Sequence, residues 1–320
     1  MPSGYALRTV HNISALVHNL GRPRYIALLL FLLALAPRLP GLNRFLTSDE
    51  QTNIFTAGSD VIAAFLRGDW RDTYWHFYPG VTMSWLDALG MGGQYLWHRV
   101  TGASPQPFTD FIYSDILALI VANRLPYALL TAAAVPATYL LARRLLPAWV
   151  ALLGALLMAF DPFYLAHSRV AHGDAPVAVF MSLSALSFFI FANQVGEISS
   201  SLSGNLRNTD HAIRIIKNPF LIASAVLGSL AALTKPPGQF MALFIIGLSL
   251  LYAILGLRET IIRHSSLIIR HSLRVIERWI TVVILWGLIS LVVFVLLWPA
   301  MWVDPLGTFQ QTWRETSAKV

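Results

Sequence analysis

The sequence predicts an all-α integral membrane protein of about seven transmembrane helices. A long first extracytoplasmic loop is expected to carry amphipathic juxtamembrane helices. Three observations predict this. Hydrophobic residues fill 56% of the 320 positions and charged residues only 12%, about half the roughly 25% of a soluble domain. Mean hydropathy is +0.61. The apolar residues gather in runs close to the length of about 20 that a bilayer requires. The 23 Lys and Arg are also unevenly spread between the loops. Low polarity excludes a disordered chain, and the absence of Cys excludes a disulfide scaffold or a cysteine metal cage.

The runs are Tyr25–Ala36, Ile116–Ala142, Trp149–Leu165, Ala175–Ala192, Pro219–Thr234, Gln239–Leu257 and Trp279–Trp298. Val81–Val100 is long enough to span but holds Asp87, three glycines, Gln94 and His98. The positive-inside rule assigns it to the interface. With seven spans and a cytoplasmic N-terminus, the inner segments hold 13 basic and 4 acidic groups, leaving 10 basic and 12 acidic groups outside. An eighth span at Val81–Val100 would move the five-Arg loop 258–278 and Arg143/Arg144 outside. The formal charge of +7 is therefore a topological signal and not a sign of nucleic-acid binding.

The expected organisation is one membrane-embedded module over 1–320, multi-pass in the plasma membrane. Segment 38–115 lies outside the cell; 194–218 and 258–278 lie inside. Ala34-Leu35-Ala36 has the look of a signal cleavage site, but Pro37 follows it and a long polar segment precedes it, favouring an uncleaved anchor. Ile261-Ile262-Arg263-His264-Ser265 recurs as Ile268-Ile269-Arg270-His271-Ser272. Seven residues is about two helical turns, and a duplicated stretch of solvated linker is the preferred reading.

Chemistry is sought among polar groups at the outer ends of spans, where charge is costly. Asp49-Glu50 follows the first span, and adjacent carboxylates suit general-base work or capping by Ser48 or Asp49. Lys235 stands before Pro236-Pro237 at the outer end of the fifth span, where a cation suits a lipid-linked phosphate or simply snorkels. Arg124 lies inside the second span, needing Asp49, Asp174 or a ligand phosphate as partner, and a purely structural ion pair is the alternative. Arg169, His172 and Asp174 precede or open the fourth span. His76 belongs to the aromatic segment Trp70–Gly80, whose rings stack on sugars or form an interfacial belt. Metal-protease, P-loop, dinucleotide and serine-hydrolase motifs are absent, so a dedicated metal site is not expected. A divalent cation on the outer acids is the one cofactor left open.

An ordered series of motifs then comes together: Pro37-Arg38-Leu39-Pro40, Asp49-Glu50, Tyr78-Pro79-Gly80-Val81-Thr82-Met83-Ser84-Trp85, and Asn123-Arg124-Leu125-Pro126. It continues with Tyr139–Leu145, Asp161-Pro162-Phe163-Tyr164, Ser168–Pro176 and Leu233-Thr234-Lys235-Pro236. The series, over roughly 25–305, resembles the GT-C membrane glycosyltransferases that use polyprenyl-phosphate sugars, of the protein O-mannosyltransferase and aminoarabinose-transferase types. The resemblance implies a GT-C-like N-terminal module acting as a hexosyl or pentosyl transferase. Asp49 becomes the base, Glu50 its companion, Lys235 and Arg124 the donor-phosphate ligands and Asp174 a supporting acid, while Arg169, His172 and His76 join them in support from their places in the sequence alone. It also implies a lipid-phosphate sugar donor and a glycan, lipid or protein acceptor, in a chain lacking the family's C-terminal part. Tyr78-Pro79-Gly80 departs from the His-Pro-Pro or His-Pro-Gly of many relatives. A non-catalytic lipid-phosphate-binding subunit, or a transporter, is the alternative.

Overall fold

The computed structural model describes residues 23–48, 50, 58–74, 80–102, 106–201, 215–263 and 268–317. Every regular element among them is helical. The order is α1 (Pro23–Leu35), α2 (Gly58–Arg67), α3 (Val81–Val100), α4 (Phe108–Ile112), α5 (Ile116–Ala142), α6 (Ala148–Phe160) and α7 (Pro162–His167). Then follow α8 (Asp174–Ser201), α9 (Pro219–Thr234), α10 (Phe240–Arg263), α11 (Ile268–Leu297), α12 (Ala300–Val303) and α13 (Pro305–Ser317). The repeated Ile-Ile-Arg-His-Ser stretch straddles 264–267, outside the described residues.

Length and composition give four helices able to cross a membrane: Ile116–Ala142, Asp174–Val195, Pro236–Arg258 and Ser272–Leu297. The other three expected spans are shorter. Helices α1 and α6 have 13 residues and α9 has 16, or about 20–24 Å at 1.5 Å per residue. The reasons are local. The run Trp149–Leu165 breaks at Asp161, whose carboxylate accepts from the Tyr164 N–H and caps α7, with Pro162 at its first position. Helix α9 starts on the Asn218 cap and stops at Lys235-Pro236-Pro237. Val81–Val100 is a helix but is not among the four.

Burial separates an inner helix from outer ones. The apolar stretch of α8 is 67% buried and that of α11 only 11%. Leu288, Leu291, Val292 and Leu296 of α11 are exposed, a surface that lipid and not water would cover. Small residues let α8, α9 and α11 close up. A Cβ on Gly228 would stand 2.4 Å from the Trp286 ring, and the Trp286 indole donates to Ser224 Oγ at 3.0 Å.

Helix α3 is laid across the end of the bundle reached by α1, α9 and α11. At its start, Thr82 Oγ1 donates to the Leu230 carbonyl at 3.1 Å and the Trp85 indole to the Leu297 carbonyl at 2.8 Å. Its middle meets α5 where Pro126 has no N–H to offer the carbonyl of Ala122. Gly90 occupies that spot. A Cβ there would lie 1.9 Å from the Ala122 oxygen, so only glycine permits the approach.

Candidate active site

The loop after α1 is held by two arginines. Arg124 is buried on α5, and its five N–H groups are all engaged. Nε donates to Glu50 Oε1 at 2.7 Å and Nη2 to Glu50 Oε2 at 2.6 Å, a side-on bidentate pair. Nη1 donates to the carbonyls of Leu42 (2.8 Å) and Arg44 (2.7 Å), and Nη2 also to that of Phe45 (2.7 Å). Arg169 adds a hydrogen bond from Nη2 to the Pro40 carbonyl.

Glu50 is wholly buried and joins three segments. Besides Arg124, Oε1 accepts from the Ala171 N–H at 2.8 Å, and Oε2 from Thr47 N (3.0 Å) and Thr47 Oγ1 (2.9 Å). Thr47-Ser48-Asp49-Glu50 thus forms the return half of a capping box. Thr47 and Glu50 pair in this way, while the capping of 51–66 expected of Ser48 or Asp49 falls on residues outside the described ones. Burial pushes the Glu50 carboxyl up, but the Arg124 hydrogen bonds, the two backbone donors and the guanidinium charge hold it below the usual range.

All five donors of Arg124 are thus on protein acceptors, and its acid partner is Glu50, in the loop that it holds. Glu50 is likewise spent on protein groups. Asp49 and His76 lie outside the described residues.

The second cluster is built differently. Lys235 follows α9 in extended backbone conformation (φ −158°, ψ 152°), and the 3₁₀ turn Pro236–Gln239 fixes its exit. Its Nζ stands 2.5 Å from Asp174 Oδ1 at the start of α8. His172 Nδ1 is 3.1 Å from Asp174 Oδ2. The carboxylate side chain is 45% exposed and that of Lys235 24%. Gly173 packs beside it, where a Cβ would fall 2.8 Å from Met83 Sδ and in ordinary contact with Lys235 Cδ at 3.7 Å. Lys235, Asp174 and His172, spread over the sequence, are therefore one site. It lies three residues from Ala171, where the first cluster ends.

Two further polar residues escaped the sequence reading. Arg38 is fully buried, with Nη1 donating to the carbonyls of Ala34 and Ala159 and Nε to Thr131 Oγ1. Its guanidinium lies 5.2 Å from the centre of the Tyr164 ring. Its place in Pro-Arg-Leu-Pro was the only signal. Asp87 was visible merely as a charge that made Val81–Val100 a poor span. Among the described residues no group of three or more His, Cys, Asp or Glu could hold a metal ion.

The bundle, the loop clamp and the Lys235 cluster have a counterpart among known families. Residues 113–303, well over half of the chain, match the family model of dolichyl-phosphate-mannose-protein mannosyltransferases. The chain belongs to that family. It is thereby a membrane glycosyltransferase of the GT-C fold, using a polyprenyl-phosphate-linked sugar. The match includes Arg124, Asp174 and Lys235, and ends short of the loop with Glu50. No curated protein and no solved structure matches the chain.

Proposed function

We propose that the chain transfers a sugar from a polyprenyl phosphate to an acceptor hydroxyl on the extracytoplasmic face of the plasma membrane, with its N-terminus in the cytoplasm. The observation that carries this reading is the unequal state of two charge pairs at one end of the bundle. Glu50 and Arg124 are used up in holding the loop that contains Asp49, while Lys235 and Asp174 remain partly open.

Asp49 takes the proton of the acceptor hydroxyl. The oxygen attacks the anomeric carbon, the carbon–oxygen bond to phosphate breaks, and its electron pair leaves on the lipid phosphate. A single displacement inverts the anomeric centre. Negative charge grows on the departing phosphate, and Lys235 is the cation placed to meet it. Asp174 and His172 orient Lys235, Arg124 positions the loop from behind, and Arg169 secures its start. The family name makes a mannosyl lipid phosphate the first donor to try.

Transfer from a panel of lipid-phosphate sugars by the purified chain in nanodiscs tests the reading. D49N should abolish transfer and leave the fold intact; undiminished turnover would remove Asp49 as base. Photo-crosslinking to the donor without transfer by the wild type would favour a non-catalytic lipid-phosphate-binding subunit. For the face, S104C should react with an impermeant thiol reagent on intact cells and S266C should not. The reverse pattern would invert the topology.

A further inference from the structure

Asp87 is the one ionisable side chain of α3 that sits in the wall behind the loop, and the reaction proposed above gives it no task. It is fully buried, and among the described residues the Tyr127 hydroxyl is the group that approaches its carboxylate, without a hydrogen bond of ordinary geometry. The packing around its Cβ is close. A Cβ on Gly58, the first residue of α2, would stand 2.5 Å from Asp87 Cβ and 2.5 Å from Met91 Cε. One turn further along α3 is Gly90, pressed on the Ala122 carbonyl of α5. Asp87 therefore sits where α2, α3 and α5 close on one another, between Gly58 and the face of α5 that carries Arg124 and Tyr127.

A carboxylate cannot stay ionised there for want of compensation. The cation of α5 is Arg124, whose donors are spent on Glu50 and three carbonyls. Burial pushes the Asp87 carboxyl well up, the Tyr127 hydroxyl opposes this, and the Glu50 anion adds to it. Asp60 and Arg67 on α2, Asp110 on α4, Asp115 and Arg143 at the two ends of α5 and Lys235 after α9 are the other charged groups on or next to the helices packed against α3.

We infer that Asp87 is a positioning residue that works as the uncharged acid. Carrying its proton, it lets α2, α3 and α5 close into the wall that holds the Asp49–Glu50 loop, and leaves Arg124 to Glu50 alone. Losing the proton puts a second buried anion beside Glu50, in competition for the same guanidinium, and the loop slackens. Transfer should therefore have an alkaline limit set by Asp87, although Asp87 touches neither donor nor acceptor.

The test uses the full chain in nanodiscs, with D87N and D87A. Infrared spectra of the wild type at neutral pH should contain the carbonyl band of a protonated carboxyl, and D87N should lack it. D87N, uncharged and of the same shape, should keep transfer within about threefold at neutral pH and move the alkaline limb upward by about one pH unit or more. D87A should lose about tenfold or more in kcat at neutral pH, with KM for the donor little changed. A wild type without the protonated-carboxyl band would overturn the inference, and this measurement needs no variant to fold. So would an unmoved alkaline limb in D87N, or a collapse of transfer in a well-folded D87N, which would make Asp87 a working carboxylate. The role rests on the proposed transfer reaction, whereas the band does not. An inactive wild type that shows the band would count against the reaction alone.

Discussion

Glu50 with Arg124 and Asp174 with Lys235 are both acid–base pairs at the same end of the bundle, yet the first is closed and the second is not. In the first, every N–H of the guanidinium is donated to the protein, and the carboxylate accepts from Arg124, Ala171 and Thr47. In the second, one ammonium meets one carboxylate that is nearly half exposed. A charge that the protein has already satisfied serves geometry, and a ligand can reach only one that is partly satisfied. The comparison separates positioning from binding without reference to residue type, since either cation alone would have suited a phosphate.

Breaking the closed pair should have the largest effect. E50Q or R124A leaves one buried partner uncompensated, at a cost of about 3–5 kcal/mol. Thermal unfolding in nanodiscs should register it as a large fall in midpoint with loss of transfer. R124K should not rescue, because three donors on a flexible stem cannot replace a planar fork of five; recovery of wild-type stability would show that the charge alone suffices.

Opening the second pair should reverse the pattern. K235A is expected to lower transfer by about 10²–10³-fold, the usual loss when a donor to a developing anion is removed. Its stability should change by about 1 kcal/mol, the upper end for exposed pairs, since this one is part-buried. Equal losses in stability and transfer would place Lys235 with the structural residues.

Acid should act more gently and on both pairs in the same direction, since protonation removes the carboxylate charge from each. The folded Glu50 carboxyl titrates below its unfolded value, so its stabilisation is present above the unfolded pKa and is lost as pH falls through the folded one. Unfolding midpoints should decline on acidification through the carboxylate range, and E50Q should flatten that slope. The smallest effect should be that of salt. About 0.5 M NaCl screens the half-exposed Asp174–Lys235 pair and leaves the buried one nearly untouched. Donor KM should then shift while the unfolding midpoint stays within error.

Much of the fold was legible because hydropathy is a local sum. The runs from Ile116 to Trp298 could be read directly, and Asp115, Asp161 and Asn218 do cap helices as their residue types favour. The three short helices were less legible, since an apolar count does not register where a cap such as Asp161 restarts the chain. Of the site, the cost of a charge near a span marked Arg124, Asp174 and Lys235 as the residues to examine. It did not distinguish a ligand-binding arginine from a loop clamp. Asp87 was passed over for a related reason: on sequence it is simply a polar residue in an amphipathic helix.

The sequence by itself determined that this chain lives in a membrane, where its helices run, and which few charges must have a reason to be there. These follow from transfer energies that each segment carries alone. The tertiary structure decided who satisfies whom. Glu50 and Arg124 are 74 positions apart, as Asp174 and Lys235 are 61. Which pair closes depends on the backbone carbonyls and N–H groups that arrive beside it, such as those of Leu42, Phe45 and Ala171. Every residue owns those groups, so no pattern of side chains announces them; only the packing of one helix against another brings them within reach.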